Sequence, residues 1–170
     1  MVKIMIARSL KAKDADRASE VLINAFKSFL GDKVNGSLKK HFIPKTLIKE
    51  ANVKNKFFVS KIFVAETNGK VIGAMKVSAG INGLGTFDYV GVDPECHTKG
   101  IGKFLMKKAE YFWAKHNQRK ISTCVSAHNK KAIMYYLKHD FVPEGYRRDH
   151  FFEGVDEIIL GRFLRKKNRK

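Results

Sequence analysis

The chain has 170 residues, 44% of them hydrophobic, and carries 34 Lys and Arg against 16 Asp and Glu, a formal charge of +18. Those totals suit one α/β domain with a full core, since a second domain would leave both halves small. No apolar run reaches the roughly 18–20 residues that span a bilayer. The N-terminus alternates apolar and basic residues without a signal-peptide centre, and Cys96 and Cys124 are spaced for neither a disulfide framework nor a metal site. The expectation is a cytoplasmic protein with two reduced thiols.

Residues 2–8 read as a first strand. Asp14 and Asp16 then open a helix whose apolar stripe is Ala15, Ala18, Val21, Leu22, Ala25, Phe26 and Phe29. Carboxylates there suit the positive end of the helix dipole. Residues 31–36 read as a loop, and Pro44 starts a short helix carrying Leu47, Ile48 and Ala51. Residues 57–66 and 70–77 form a hairpin around Asn68-Gly69, the strongest two-residue turn signal. Residues 80–85 break the pattern, and 87–92 form another strand, ended by Asp93-Pro94. A helix runs from 100 to about 115 with Ile101, Phe104, Leu105, Ala109, Phe112 and Trp113 inward. A strand over 120–126, a helix over about 129–138, a strand over 141–146 and a long last strand over 151–164 follow. The helix between 92 and 120 implies a parallel crossover, and the other strands can pair as antiparallel hairpins. The predicted fold is α/β: one mixed sheet with helices on its faces, spanning 1–164, then a basic tail over 165–170.

The positive field attracts polyanions, so nucleic acid or ribosome association and anionic cofactors both fit it, as does a solvated basic surface with no such partner.

The segment from Val90 to Lys103, VGVDPECHTKGIGK, is the most informative. A strand ends, a turn follows, and glycines open a helix. Gly100 and Gly102 let a ligand approach the backbone, and the unpaired amides of the first helical turn point outward with partial positive charge. This is a cradle for a diphosphate, to which His97, Lys99 and Lys103 add donors or charge. A tight turn without a ligand has the same pattern. The loop is too short for a Walker loop and has Leu105 where a dinucleotide fingerprint has its third glycine.

The segment resembles the acyl-CoA-binding motif of the GNAT family of N-acetyltransferases, Val-x-Pro followed by Arg/Gln-x-x-Gly-x-Gly/Ala. Val92, Pro94, Gly100, Ile101 and Gly102 fall in place, with His97 where the family has Arg or Gln. A second family pattern, Asn-x-x-Ala-x-x-x-Tyr and then Gly-Phe, is matched by Asn129, Ala132, Tyr136 and Asp140-Phe141. The hairpin over 62–73 matches a third. The resemblance extends over about residues 3–163.

The resemblance implies the GNAT-type fold, a mostly antiparallel sheet in which one parallel pair of strands, 87–92 and 120–126, splays apart. It implies transfer of an acetyl group from acetyl-CoA to a primary amine by direct attack. The alternative is a catalytically weak acyl-CoA-binding or RNA/ribosome-associated module on the same fold. The backbone of Val90, Gly91 and Val92 would hold the pantetheine and polarise the thioester. His97, Thr98, Lys99, Gly100, Ile101, Gly102 and Lys103 would hold the pyrophosphate, and Asn129 the pantetheine arm. Tyr136 would be the general acid towards the departing thiolate, since a tyrosine of pKa about 10 stays protonated near neutrality.

Other readings of these residues stand beside that one. Tyr136 shares an apolar helix face with Ala132, Ile133 and Leu137, its neighbour Tyr135 competes for the role, and Asn129 can cap its helix. Some family members carry a Glu five residues before the Asn; here that position is Cys124. Asp88 is the substitute base, directly or through a water, or else a solvent-facing strand residue; Cys124 as an acyl carrier is the covalent rival. Asp140 tolerates the left-handed conformation of the Gly it replaces. His116, His128, His139 and His150 are not spaced as a ligand cluster, and no metal is expected. The acceptor would be chosen by the first two helices and by residues 80–85 and 146–154, where Glu144, Asp149, Glu153, Asp156 and Glu157 could attract a cationic amine. No membrane partner is expected, and the protein would act as a monomer or homodimer.

Overall fold

The computed structural model describes residues 5–31, 35–96 and 100–164. In chain order its elements are β1 (Met5–Ser9), α1 (Ala15–Leu30), α2 (Asn35–His41), α3 (Pro44–Glu50), β2 (Asn52–Lys54), β3 (Phe58–Thr67), β4 (Lys70–Gly80), β5 (Leu84–Val92), α4 (Ile101–Lys115), β6 (Lys120–Ser126), α5 (Lys130–Leu137), β7 (Val142–Arg147) and β8 (Glu157–Phe163). The strands form one open mixed sheet in the order β1-β3-β4-β5-β6-β8-β7, with β2 beside β1 on the outer edge of β3. Every described pairing is antiparallel except β5–β6. Helix α4 makes that one crossover. The β3–β4 hairpin turns on Asn68 and Gly69, both at positive φ (50° and 76°), as a two-residue primed turn requires.

Each face of the sheet has its own core. Under α4 and α5 lie Met75, Phe87, Leu105, Phe112, Trp113 and Tyr136. Under α1, α2 and α3 lie Leu22, Leu38, Phe42, Leu47, Val64 and Tyr89. Phe87 and Tyr89, two residues apart on β5, enter opposite cores because a bulge between them breaks the strand's alternation. Among the described residues no helix is long and apolar enough to cross a membrane.

Several elements differ from the sequence reading. The chain from residue 35 is helical rather than a loop. The seven residues of α2, NGSLKKH, have one apolar anchor, Leu38, too few for a period to show, and its burial beside α1 and α3 holds the turn. Three-residue β2 carries no readable alternation and exists as an edge partner of β3. The last strand begins at Glu157 rather than at 151. Asp149 and Gly154, at φ 46° and 73°, break the run, and Asp149 accepts the Gly154 N–H. The aromatic residues ahead of it serve packing: Phe152 and Val155 seal the α1 side of the core. On α4, Met106 is buried and Phe104 only half so. Asp16 lies in the first turn of α1 as read, whereas Asp14 precedes it as the N-cap residue and makes no side-chain cap bond. Asp14 is buried, takes a two-pronged bond from Arg8 at 2.6 and 3.0 Å, and accepts the Lys11 amide at 2.8 Å, tying β1 to the start of α1. That guanidinium holds the Asp14 carboxyl below the usual carboxylate range. Asp140 does sit in the left-handed region, at φ 62°.

Candidate active site

The parallel pairing of β5 and β6 lasts three residues: Leu84 with Lys120, Gly85 with Ile121, Thr86 with Ser122. Beyond them β5 stays on β4 as far as Val92, while β6 stays on β8 as far as Ser126. The two strands therefore fork. At the fork the buried Thr123 hydroxyl donates to the Phe87 carbonyl at 2.8 Å, replacing the ladder bond that the divergence removes. A cleft of about 1240 Å³ fills the opening. One wall is β5 from Thr86 to Val92, the other β6 from Ser122 to Ser126, with Gly102, Asn129, Tyr135 and Tyr136 also lining it.

Among the described residues, β5 beyond the fork takes its ladder partner from β4. The Asp93 N–H donates to Ile72 of β4 at 2.9 Å, so alternation aims the Val90 and Val92 backbone N–H groups at the cleft side. Gly91 is turned the other way: a Cβ there would lie 3.0 Å from the Ala25 and Leu22 side chains, so its bareness serves the close approach of α1. Asp93 is ion-paired with Arg17, and Arg17 also donates to the Val71 carbonyl at 3.2 Å, which pins the end of β5 where the loop to α4 begins.

Helix α4 opens at Gly100, which holds φ 71° and ψ 12° and supplies no side-chain cap. Among the described residues no side chain caps the first-turn amides, and a Cβ on Gly100 would meet open space. The residue is glycine because of its left-handed backbone. Ile101 is buried in the core, leaving only its backbone for a ligand, while Lys103 is exposed. His97, Thr98 and Lys99 lie outside the described residues.

The Asn129 side chain caps α5, with Oδ1 accepting the Ala132 amide at 3.0 Å. A ligand in the cleft would therefore meet Nδ2. The adjacent tyrosines divide their work. Tyr135 donates its hydroxyl to the Gly102 carbonyl at 2.7 Å and ties α5 to the first turn of α4. Tyr136 is 4% exposed and packs edge-on against Phe87 and Phe141, with ring centroids 5.8 and 5.2 Å away. Burial raises its pKa well above the ordinary tyrosine value, with a partial offset from the Thr123 hydroxyl. Core residue and cleft residue are one position here.

Asp88 is the extra residue of a β-bulge, since Tyr89 pairs with Lys76 and Phe87 with Val77. Its carboxylate accepts the Thr86 hydroxyl at 2.6 Å and lies 3.4 Å from that of Ser78. It touches solvent, yet the cleft walls crowd it; that desolvation raises its pKa above the usual 3.8, with both hydroxyls and Lys76 opposing. The half-buried Cys124 thiol is also pushed up by burial, which disfavours the thiolate an acyl carrier needs. Of the five acids expected to attract an amine, Glu157 alone lines this cleft. Glu144 is bound to Lys120 at 2.7 Å, and Asp149 and Asp156 are spent on the turn before β8.

Sequence reasoning missed Thr123, His41, Phe42, Tyr89, Phe151 and Phe152, all of which line the cleft. Strand alternation could have singled out Thr123 as an inward polar residue. The aromatic residues, from elements far apart in the chain, had no shared signal.

An acetyltransferase (GNAT) domain family matches residues 59–143. No curated protein matches the chain in sequence. Among solved structures, the fold is similar to that of the PaiA N-acetyltransferase from Thermoplasma acidophilum in complex with coenzyme A, at 18% identity and TM-score 0.78, over 95% of this chain and 99% of that one. Ard1 from Thermoplasma volcanium matches at 18% identity and TM-score 0.72, over 95% and 99%. The ribosomal-protein-S18-alanine N-acetyltransferase from Escherichia coli matches at 19% and 0.71, over 98% and 99%.

Proposed function

Because the chain belongs to the GNAT acetyltransferase family, we propose that it moves an acetyl group from acetyl-CoA to a primary amine by direct attack within the β5–β6 cleft. The observation that carries this reading is the fork itself: pairing stops after Thr86 and Ser122, and the opening leads to the glycine start of α4. Donors without side-chain caps at that helix start fit a diphosphate, and a slot flanked by strand amides fits a thioester arm.

Bound acetyl-CoA supplies an electrophilic thioester carbonyl and a thiolate leaving group. The amides of Gly100, Ile101, Gly102 and Lys103 receive the pyrophosphate, with His97, Thr98 and Lys99 assigned to the same loop. The backbone of Val90 and Val92 orients the pantetheine and polarises the carbonyl, Gly91 between them keeps β5 close to α1, and Asn129 Nδ2 holds the arm in register. Asp88 takes the proton from the incoming amine, directly or through a water. Tyr136 gives its proton to the departing sulfur, and its raised pKa keeps that proton in place at neutral pH. Neither step requires a covalent enzyme intermediate, because both reactants share one cleft.

Calorimetry with coenzyme A tests the binding half. The protein is expected to bind it, and Gly100→Val to weaken binding by about tenfold or more, roughly 1.4 kcal/mol. Unaltered binding in the variant, or none in the parent, would refute the assignment. Thiol release from acetyl-CoA across a panel of amines tests the transfer half.

A further inference from the structure

On the face carrying α1, α2 and α3, the cleft ends in a wall of rings. His41, at the end of α2, meets Phe42 and Phe151 edge-on, with centroids 4.7 and 4.8 Å apart. Phe151 meets Phe152 at 4.8 Å, and Phe42 meets Tyr89 at 5.2 Å. All five line the cleft. Phe151, 52% exposed, forms the open end of the wall. Tyr89 is 8% exposed, and its hydroxyl is buried with no hydrogen-bond partner among the described residues. An orphan polar atom at a cleft wall fits a site that a ligand completes.

Charged groups flank this end: Lys40 and Glu153 border His41, Phe151 and Phe152 on the outer side of the wall. Of the two described carboxylates lining the cleft, Glu157 is bound to His150 at 2.6 Å, with Arg147 beside that imidazole at 3.1 Å. Nearby Glu50 is bound to Lys76 at 2.9 Å. Asp88 is held by hydroxyls and has no ion pair among the described residues. Burial lowers the His41 pKa, so its ring joins the wall as a neutral group at neutral pH.

We propose that the acceptor is a primary amine bearing a single positive charge on an apolar or aromatic body, its ammonium end at Asp88 and its body against His41, Phe42, Tyr89, Phe151 and Phe152. The proposal rests on the acetyl-transfer reading above. A polyamine would bring several charges to a cleft whose described lining offers one carboxylate without an ion pair, Asp88, on a chain of net charge +18. A small polar amine would leave the rings wet, whereas an apolar body dries them and an ammonium is attracted to their faces. A free arylalkylamine and the N-terminal residue of a peptide with an apolar side chain share this chemistry.

The test follows thiol release at saturating acetyl-CoA with 2-phenylethylamine, a pentapeptide beginning with Phe, glycinamide and spermidine. One of the two aromatic amines is expected to exceed glycinamide and spermidine in kcat/KM by about tenfold or more, and the better of them tells a free amine from a chain terminus. Phe151→Ala, at an exposed ring whose loss spares the core, is expected to raise KM for that amine about two- to tenfold while kcat holds. Its acetyl-CoA affinity, read by calorimetry, is expected to be unchanged. Spermidine or glycinamide performing as well, an unmoved KM in Phe151→Ala, or no turnover of any amine by protein that binds acetyl-CoA would each overturn the proposal. Failure to bind acetyl-CoA at all would instead refute the underlying site, and this inference with it.

Discussion

Tyr136 combines two demands that usually separate. Its ring fills the core between Phe87 and Phe141, while its position also borders the cleft. Tyr136→Phe keeps the ring, so the thermal midpoint is expected to stay put. In steady-state kinetics kcat should fall about 100-fold with KM little changed, because the lost proton acts only in the transition state. Asp88 makes a sharper case, since desolvation raises its native pKa. The base form exists only above that raised value, so the acid limb of kcat/KM should lie above the ordinary carboxylate range, and Asp88→Asn should remove the activity that depends on it. The stability consequence has the opposite sign. A native pKa above the unfolded one favours folding below the unfolded pKa, and that favour is lost as pH rises through the native pKa. Asp88→Asn is therefore expected to raise the thermal midpoint at neutral pH, with the gain vanishing in acid, as a melting series against pH would record.

Between elements, the controlling feature is the short joint of β5 and β6. Gly85 is its middle pair, and a Cβ there would lie 2.7 Å from Ile121 Cδ1, 2.9 Å from Trp113 Cδ1 and 3.0 Å from the Ser78 carbonyl oxygen. The indole also donates to that same carbonyl at 3.1 Å, so the ring cannot simply swing away. Gly85→Ala is expected to cost about 1–3 kcal/mol in urea unfolding through overpacking, and to weaken coenzyme A binding because the fork begins one residue later. A variant with wild-type stability would show that the joint yields more easily than its contacts imply. The ends of the fork are held by other means: Thr123 on Phe87, Arg17 on Asp93, and Tyr135 on Gly102.

For the molecule as a whole the dominant quantity is the charge of +18. Coenzyme A is a polyanion, and such a field strengthens its capture at low salt. Its dissociation constant should rise severalfold between ~0.05 and ~0.5 M salt as the screening length contracts. A constant independent of salt would assign the whole affinity to short-range contacts. Nucleic acid or ribosome association rests on the same field and calls for its own salt titration, with RNA as the titrant. The basic residues of 165–170, assigned to a tail, lie outside the described residues.

Much of this molecule was legible before any coordinates. Local chemistry wrote the Asn68-Gly69 turn, the stripe of α1, the bounds of β6 and the glycine start of α4, because periodicity and backbone preference act over a few residues. Resemblance to the GNAT family's motifs, matched in order along the chain, brought Gly100, Asn129 and Tyr136 into one pattern. What tertiary structure decided were relations between distant segments. A single buried Leu38 anchors α2, a bulge sets Asp88 at the cleft, and Asp14 at the start of α1 gives its side chain to Arg8. His41, Tyr89 and Phe151 form one wall only because α2, β5 and the turn before β8 converge on it. Such contacts depend on packing across the sheet, to which no local period in the chain corresponds.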